Sequence, residues 1–80
     1  MDPQVSFGRV LRNLRKARGL TQEQLAFAAG IERNYVSLIE RGQNQPALKV
    51  LFKVAEALEC SPSELIRLVE IEMTVSVSEP

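Results

Sequence analysis

Residues 32–41 concentrate side chains that can hydrogen-bond to the edge of a nucleic-acid base. Arg33 offers a guanidinium group that pairs with guanine, and Asn34 offers an amide that pairs with adenine. Tyr35 and Ser37 add hydroxyl groups that can reach a base or a phosphate. The segment therefore predicts DNA recognition, although the chain as a whole has no net charge.

The zero net charge conceals an asymmetry along the chain. Residues 1–46 contain seven Lys and Arg against four Asp and Glu, which gives +3, whereas residues 47–80 contain three against six, which gives −3. The basic half carries the segment with base-binding side chains. This polarity favours a polyanion docking on one face, although a solvated helix face has the same composition. Four further cations of the basic half, Arg9, Arg12, Lys16 and Arg18, fit such a solvated face.

Side chains suited to catalysis or to holding a metal are scarce. The 80 residues contain no His, one Cys (Cys60) and one Asp (Asp2), and the glutamates are scattered. The sequence has no Cys/His cluster with metal-ligand spacing, no Gly-rich phosphate loop and no nucleophile elbow. We therefore expect neither an enzyme nor a cofactor.

Other general features favour a cytoplasmic protein. A single cysteine forms no internal disulfide, and the start MDPQVSFGR has no basic and apolar signal-peptide pattern. No apolar run approaches the roughly 18–20 residues of a membrane span, so no membrane partner is expected. No ligand-binding domain follows, so a small-molecule ligand is not expected either.

Apolar spacing and capping signals predict five helices. The first begins at Asp2 and Pro3 or at Ser6 and stops before Gly19. The second opens with a capping box at residues 21–24 and ends at Gly30. The third covers residues 32–41, the fourth residues 47–58, and the fifth follows a second capping box at residues 61–64.

The pattern changes after residue 70. Ile71, Met73, Val75 and Val77 alternate with polar residues, which is the two-residue period of a half-buried strand. The sequence thus predicts a helix-turn-helix domain over residues 1–70, and a C-terminal tail over residues 71–80 with a possible short β-strand.

The order of these elements resembles a known family. The stretches TQEQLAFAAGI, VSLIERG and QPALKVLFKVAEALECSPSELI are similar to the Cro and phage-repressor (XRE) type of helix-turn-helix proteins, from about Phe7 to Val69. The third helix also shares the pattern RxYxSxIERG with the controller proteins of restriction–modification systems. The resemblance implies an all-α, compact, five-helix fold like that of lambda repressor.

The resemblance also implies which residues contact DNA, with the third helix in the major groove. The expected base contacts are Arg33, Asn34, Ser37 and Leu38. The expected contacts to the DNA backbone are Gln22, Tyr35, Arg41, Gln43, Asn44 and Lys49. Each has a structural alternative: Arg33 as a solvated helix residue, Tyr35 packed against the second helix, and Gln22 as an ordinary first-turn residue.

Arg15 and Glu40 occupy positions where the family often has a buried ion pair, which implies a structural role for both. Three residues depart from the family pattern. Leu38 replaces a polar residue, Ala47 replaces a Ser or Thr helix cap, and Glu59 replaces the Gly after the fourth helix. Glu59 therefore predicts a strained or differently shaped end to that helix.

Self-association is expected because a core of this size is marginal and one recognition helix covers few base pairs. The fifth helix and the tail contain more apolar residues than one inward face needs. The expected dimer contacts are Ile66, Val69, Ile71, Met73, Val75 and Val77, with the tails pairing as strands. A frayed terminus is the alternative.

The resulting hypothesis is a sequence-specific, homodimeric transcription regulator of double-stranded DNA, in the sharper version a restriction–modification controller. An activating regulator would also contact RNA polymerase. A phage-type repressor or an antitoxin-like autoregulator is the alternative within this class. From another class, the alternative is a protein-interaction module that has lost DNA binding, against which Arg33, Asn34 and Tyr35 argue.

Overall fold

The computed structural model describes the backbone of residues 2–78 and the side chains of residues 2–75. Over this part of the chain it consists of five α-helices and has no β-strand. In chain order they are α1 (Pro3–Ala17), α2 (Gln22–Ala29), α3 (Arg33–Glu40), α4 (Leu48–Ala57) and α5 (Pro62–Ser78). The prediction of an all-α, five-helix fold is confirmed.

Side-chain caps determine where the helices begin. The Asp2 carboxylate accepts a hydrogen bond from the backbone N–H of Gln4 at 2.9 Å, so α1 begins after Asp2 and not at Ser6. Thr21 and Gln24 form both bonds of the expected capping box at the start of α2. At α5, the Ser61 hydroxyl accepts from the N–H of Glu64 at 3.1 Å.

The end of α4 is strained, as the replacement of glycine predicts. Glu59 has φ +58°, in the left-handed region that Gly19, Gly30 and Gly42 adopt after the preceding helices. The N–H of Cys60 still bonds the carbonyl of Ala55 at 3.0 Å, which closes the helix in the usual way. The end is therefore normal in shape, and the Glu59 side chain adds about 1 kcal/mol of backbone strain.

All five helices contribute to one core. α1 packs against α3 and α5, α2 packs against α3 and α4, and α4 packs against α5. The fully buried large side chains are Leu11, Leu25, Val36, Ile39, Val54, Leu58 and Leu65. Because α3 is held by both α1 and α2, its orientation is set by two independent contacts.

Gly8, in the middle of α1, allows a close approach between α1 and α3. A Cβ atom at this position would lie 2.3 Å from the carbonyl oxygen of Ile39 and 2.9 Å from that of Glu40. These are backbone atoms and cannot swing away as a flexible side chain can. The absence of a side chain at residue 8 thus lets α1 lie directly on the C-terminal turn of α3.

The predicted C-terminal strand is wrong for the residues that the structure describes. Residues 71–78 continue α5, whose backbone groups bond within the helix, whereas a lone strand would leave them unpaired. Packing favours the helix as well: Met73 lies against the core, and Glu72 pairs with Arg9 of α1 at 3.6 Å. The domain boundary expected at residue 70 falls inside this helix.

Among the residues that the structure describes, none of the helices has the length and apolar content that a membrane span requires.

Candidate nucleic-acid interface

The turn between α2 and α3 sets the angle of the pair. Gly30 adopts φ +69°, and the N–H of Ile31 bonds the carbonyl of Ala26 at 2.9 Å, so the chain leaves α2 sharply. Ala26 is buried on α2, which packs against α3, and its small side chain suits a close approach of helices. α2 and α3 therefore form a rigid helix-turn-helix unit.

The outer side of α3 presents the expected base-contacting residues together. At 100° per residue, Arg33, Ser37 and Arg41 form one ridge, and Asn34 and Leu38 form the ridge beside it. Arg33, Asn34 and Arg41 are exposed, and Ser37 and Leu38 are half-buried. Val36 and Ile39 are fully buried on the opposite side. The major groove of B-DNA is wide enough to admit an α-helix, so this face of α3 can meet base edges there.

Three candidate contacts to the DNA backbone follow α3 in the chain. Gln43, Asn44 and Lys49 are exposed in the loop after α3 and on the first turn of α4. The Arg41 guanidinium donates to the carbonyl of Ser37 at 3.3 Å, which keeps it along α3. Within the described residues, neither Arg41, Lys49 nor Arg33 forms an ion pair, so their charges are available to phosphates.

Tyr35 has a structural partner that the sequence analysis missed. Its half-buried ring packs against the core, and its hydroxyl accepts a hydrogen bond from the backbone N–H of Ala47 at 3.3 Å. Ala47 precedes α4 and has no side chain that can cap the helix. The missing cap was the sequence signal that a residue from elsewhere in the chain bonds the start of α4. Because a phenol accepts and donates at once, the bond leaves the Tyr35 proton for a phosphate.

Arg15 and Glu40 form a buried, bidentate ion pair beneath the interface. Arg15 donates from Nε to Glu40 Oε2 at 2.6 Å and from Nη2 to Oε1 at 3.0 Å. Its Nη1 donates to the carbonyl of Leu20 at 2.7 Å. The Arg15 residue is 8% exposed, and its hydrogen bond to Glu40 raises the pKa of the guanidinium. The pair joins α1, the loop after it and the end of α3.

Gln22 connects this ion pair to the surface. Its Nε2 donates to Glu40 Oε1 at 3.1 Å, a contact that the sequence analysis did not foresee. A side-chain amide has two N–H donors, so one remains for a DNA phosphate. Gln22 and Arg33 also border the same shallow depression. The structure thus brings together the first turns of α2 and α3.

Two of the four remaining cations on α1 and at its C-cap form ion pairs with glutamates outside the interface. Arg9 pairs with Glu72 of α5, and Arg18 pairs with Glu59 at 3.3 Å. Arg12 and Lys16 are exposed. These positions fit a solvated face and add only a diffuse positive potential.

The residues expected in the dimer contact lie on different sides of α5. Ile66, Ile71 and Val75 are exposed. Val69 is buried in the chain's own core, and Met73 packs against that core, so neither presents its side chain outward. The side chain of Val77 lies outside the described residues. The exposed apolar surface of α5 is therefore narrower than the sequence indicates.

Comparisons with known proteins agree with this geometry. The helix-turn-helix family model HTH_3 matches residues 11–65. The control protein C.BamHI of Bacillus amyloliquefaciens is 36% identical over 61 residues, which are 75% of this chain and 75% of that protein.

Two solved structures of restriction–modification controller proteins are similar. C.AhdI from Aeromonas hydrophila is 50% identical, with a TM-score of 0.75 over 78% of this chain and 94% of that one. C.Esp1396I, solved as a tetramer with its natural 35-base-pair operator, is 27% identical, with a TM-score of 0.84 over 92% of this chain and 97% of that one.

Proposed function

Since the chain belongs to the XRE type of helix-turn-helix family, we propose that it is a sequence-specific, DNA-binding transcription regulator and has no enzymatic activity. One observation carries the proposal: Arg33, Asn34 and Arg41 are exposed along one side of α3 and its C-cap, and the opposite side of α3 is anchored in the core. Its sharper form is a controller protein of a restriction–modification system. The likeness to C.AhdI, C.BamHI and C.Esp1396I supports this form.

Within the proposal, each part of the interface has a separate role. The ridges of α3 enter the major groove, where Arg33 pairs with guanine and Asn34 with adenine. Ser37 and Leu38 contact bases one turn further along. The phosphate contacts come from Gln22, Tyr35, Arg41, Gln43, Asn44 and Lys49, which position the helix without recognising sequence.

The regulator binds an inverted repeat as a homodimer, and the exposed side of α5 is the proposed contact. Ile71 and Val75 are one turn apart and 46% and 47% exposed. Apolar side chains at this spacing form one stripe, and burying the same stripe on two copies gives a two-fold contact. Ile66 is exposed as well, but it lies five residues before Ile71 and is rotated about 140° from it around α5, so it is outside this stripe.

Selection of bound DNA from random duplexes tests the function. The full chain is expected to enrich an inverted repeat whose half-sites lie about 10 base pairs apart, centre to centre. Enrichment of no sequence would favour a protein-interaction module instead. A single unpaired half-site bound by a monomer would contradict the dimer.

Substitution of α5 tests the dimer surface separately. Ile71→Ser with Val75→Ser is expected to make the protein monomeric in light scattering while its helical circular dichroism stays unchanged. This variant changes only the exposed stripe, whereas a truncation after residue 70 would also remove Met73, which packs against the core. Asn13→Ser, on the exposed side of α1, is the matched control. A dimer that survives the double substitution contradicts the assignment.

The tetramer of C.Esp1396I on its operator supports one further step. We propose that two dimers of this chain also occupy neighbouring sites in one regulatory region.

A further inference from the structure

The first turn of α1 bonds the backbone just beyond α3. The side-chain amide of Gln4 donates a hydrogen bond from Nε2 to the carbonyl oxygen of Gly42 at 2.8 Å. Gly42 follows Arg41, the C-cap of α3, and leads into the segment before α4. We call residues 43–46 the α3–α4 loop. Gln4 thus reaches the start of the loop that carries Gln43 and Asn44, although it is not itself one of the proposed DNA contacts.

This bond completes the fixation of one peptide unit. The carbonyl of Gly42 and the N–H of Gln43 belong to the same peptide group, which is planar and in its trans form directs the two groups to opposite sides. The N–H of Gln43 donates to the carbonyl of Leu38 at 2.9 Å, and the carbonyl of Gly42 accepts from Gln4 on the other side. Because both polar ends of the plane are bonded, its orientation is set, and with it the direction in which the α3–α4 loop leaves α3.

Val5, the next residue of α1, holds Gly42 by packing. A Cβ atom at Gly42 would lie 3.2 Å from Cγ2 of Val5 and 3.4 Å from its Cα, so the glycine backbone lies directly beside this side chain. The turn of α1 that carries both residues is itself closed, because the Asp2 carboxylate accepts from the N–H of Gln4 at 2.9 Å. Two neighbouring residues of α1 therefore hold Gly42, one by a hydrogen bond and one by contact.

The α3–α4 loop depends on the bonds at its two ends. Gln43, Asn44 and Gln45 are exposed. At the far end, the N–H of Ala47 donates to the Tyr35 hydroxyl at 3.3 Å. Among the residues that the structure describes, none forms a hydrogen bond with residues 44–46. The position of Asn44 is therefore set mainly by the peptide unit where the loop begins.

We propose that Gln4 is a positioning residue for DNA binding, which fixes the peptide unit after Gly42 and so places the side chains of Gln43 and Asn44 against phosphates. The proposal rests on the proposed function, in which these two side chains contact the DNA backbone. A loop that is already oriented in the free protein loses less conformational entropy on binding. Because phosphates carry no sequence information, the contribution of Gln4 is the same for every base sequence.

Gln4→Met tests this role, because methionine has a side chain of similar length and no N–H donor. The variant is expected to bind the selected inverted repeat about five-fold more weakly, the effect of losing about one net hydrogen bond. The loss is expected to be the same on duplexes with substituted base pairs, so their order of affinity stays unchanged. Asn13→Met, which removes an amide from the exposed side of α1, is the matched control. Circular dichroism at the assay temperature checks that each variant is folded.

A double-mutant cycle distinguishes placement of the loop from an effect on the whole fold. In a chain that already carries Gln43→Ala and Asn44→Ala, Gln4→Met is expected to change affinity by less than about two-fold, because the loop has no contacting side chains left to place. Arg33→Ala removes a contact at the other end of α3. In that chain, Gln4→Met is expected to keep its effect of about five-fold, since the two sites are independent.

A second measurement needs no DNA. Amide hydrogen exchange of the free protein, followed by nuclear magnetic resonance, reports how firmly each backbone N–H is held. In Gln4→Met, the N–H of Gln43 is expected to exchange faster, because its peptide unit is then bonded at one end only. The buried N–H of Ile39, in the middle of the core, is the internal reference and should keep its rate.

The outcomes separate this proposal from the proposed function. If the unchanged chain binds no duplex, the function fails and the positioning role fails with it. If Gln4→Met binds as tightly as the unchanged chain, or loses as much affinity without the side chains of Gln43 and Asn44, only the positioning role is overturned. A changed base preference also overturns it, because Gln4 would then act on α3 itself. Unchanged exchange at Gln43 overturns it too, since the peptide unit would be fixed without Gln4.

Discussion

The two sides of α3 are surrounded by very different partners. On the inner side, Glu40 accepts three hydrogen bonds from Arg15 and Gln22, and the backbone of Ile39 lies against Gly8 without an intervening side chain. On the outer side, Arg33 and Asn34 are exposed. The eight residues of α3 thus contain both a buried anchor and an exposed surface. Substitutions on the inner side are expected to change stability, and those on the outer side to change DNA binding.

Removing Arg15 is expected to have the largest effect. Arg15→Ala leaves the Glu40 carboxylate buried without its cationic partner, which costs about 3–5 kcal/mol of the free energy of unfolding. Chemical denaturation monitored by circular dichroism measures the loss. Arg12→Ala, on the exposed side of α1, is the control and should stay within about 0.5 kcal/mol. Equal stability of the two variants would show that the inner anchor does not depend on this pair.

Gly8→Ala is expected to separate α1 from α3. The added Cβ would meet two backbone carbonyl oxygens, so the helices must move apart at a cost of about 1–3 kcal/mol. Since alanine favours helices more than glycine, a net loss of stability isolates the clash. Thermal unfolding compares this variant with Asn13→Ala on the same helix. Stabilisation by Gly8→Ala would contradict the close approach.

Arg33→Ala tests the outer side of α3, because it is expected to weaken DNA binding without lowering the free energy of unfolding. The variant is expected to lose about 1–3 kcal/mol of binding free energy and the preference at one base position. Its free energy of unfolding should stay within about 0.5 kcal/mol, because the Arg33 side chain is exposed. Binding-site selection measures the preference. Gln22→Ala is the contrasting variant, expected to weaken all sequences alike. Unchanged preference in Arg33→Ala would remove this residue from the base contacts.

The smallest expected effect comes from Ser6, which is buried on α1. Its hydroxyl has no hydrogen-bond partner among the described residues. Ser6→Ala removes a desolvated, unsatisfied polar group and should raise stability by about 1 kcal/mol. Thermal unfolding checks the sign. A lower melting temperature would mean that the hydroxyl contributes to the core.

The fold could be predicted because its signals are local. The Asp2 and Thr21 caps, the glycine ends of α1, α2 and α3, and the apolar spacing all act within one or two helical turns. The exposed ridges of α3 follow from the same periodicity. The pairing of Arg15 with Glu40 was expected only from the resemblance to the family, since spacing does not show which distant charges meet.

The α5 error shows where local signals compete. The alternation from Ile71 to Val77 has the period of a strand, but a strand is stable only with a neighbour, and the described chain provides none. Contacts of Glu72 and Met73 with the rest of the domain favour the helix. The helical geometry of α5 places the side chain of Val69 in the core, whereas counting apolar residues in the sequence does not show which side of the helix each one occupies.

The sequence by itself determined the number and type of helices, their caps and the face of α3 that carries Arg33 and Asn34. Those features depend on residues a few positions apart, whose geometry is the same in any helix. Only the tertiary structure decided that Tyr35 bonds Ala47, that Gln22 bonds Glu40, and that Phe27 and Phe52 share a groove. These contacts join residues 12 to 25 positions apart, and they form only because the core sets the distance between the helices that carry them.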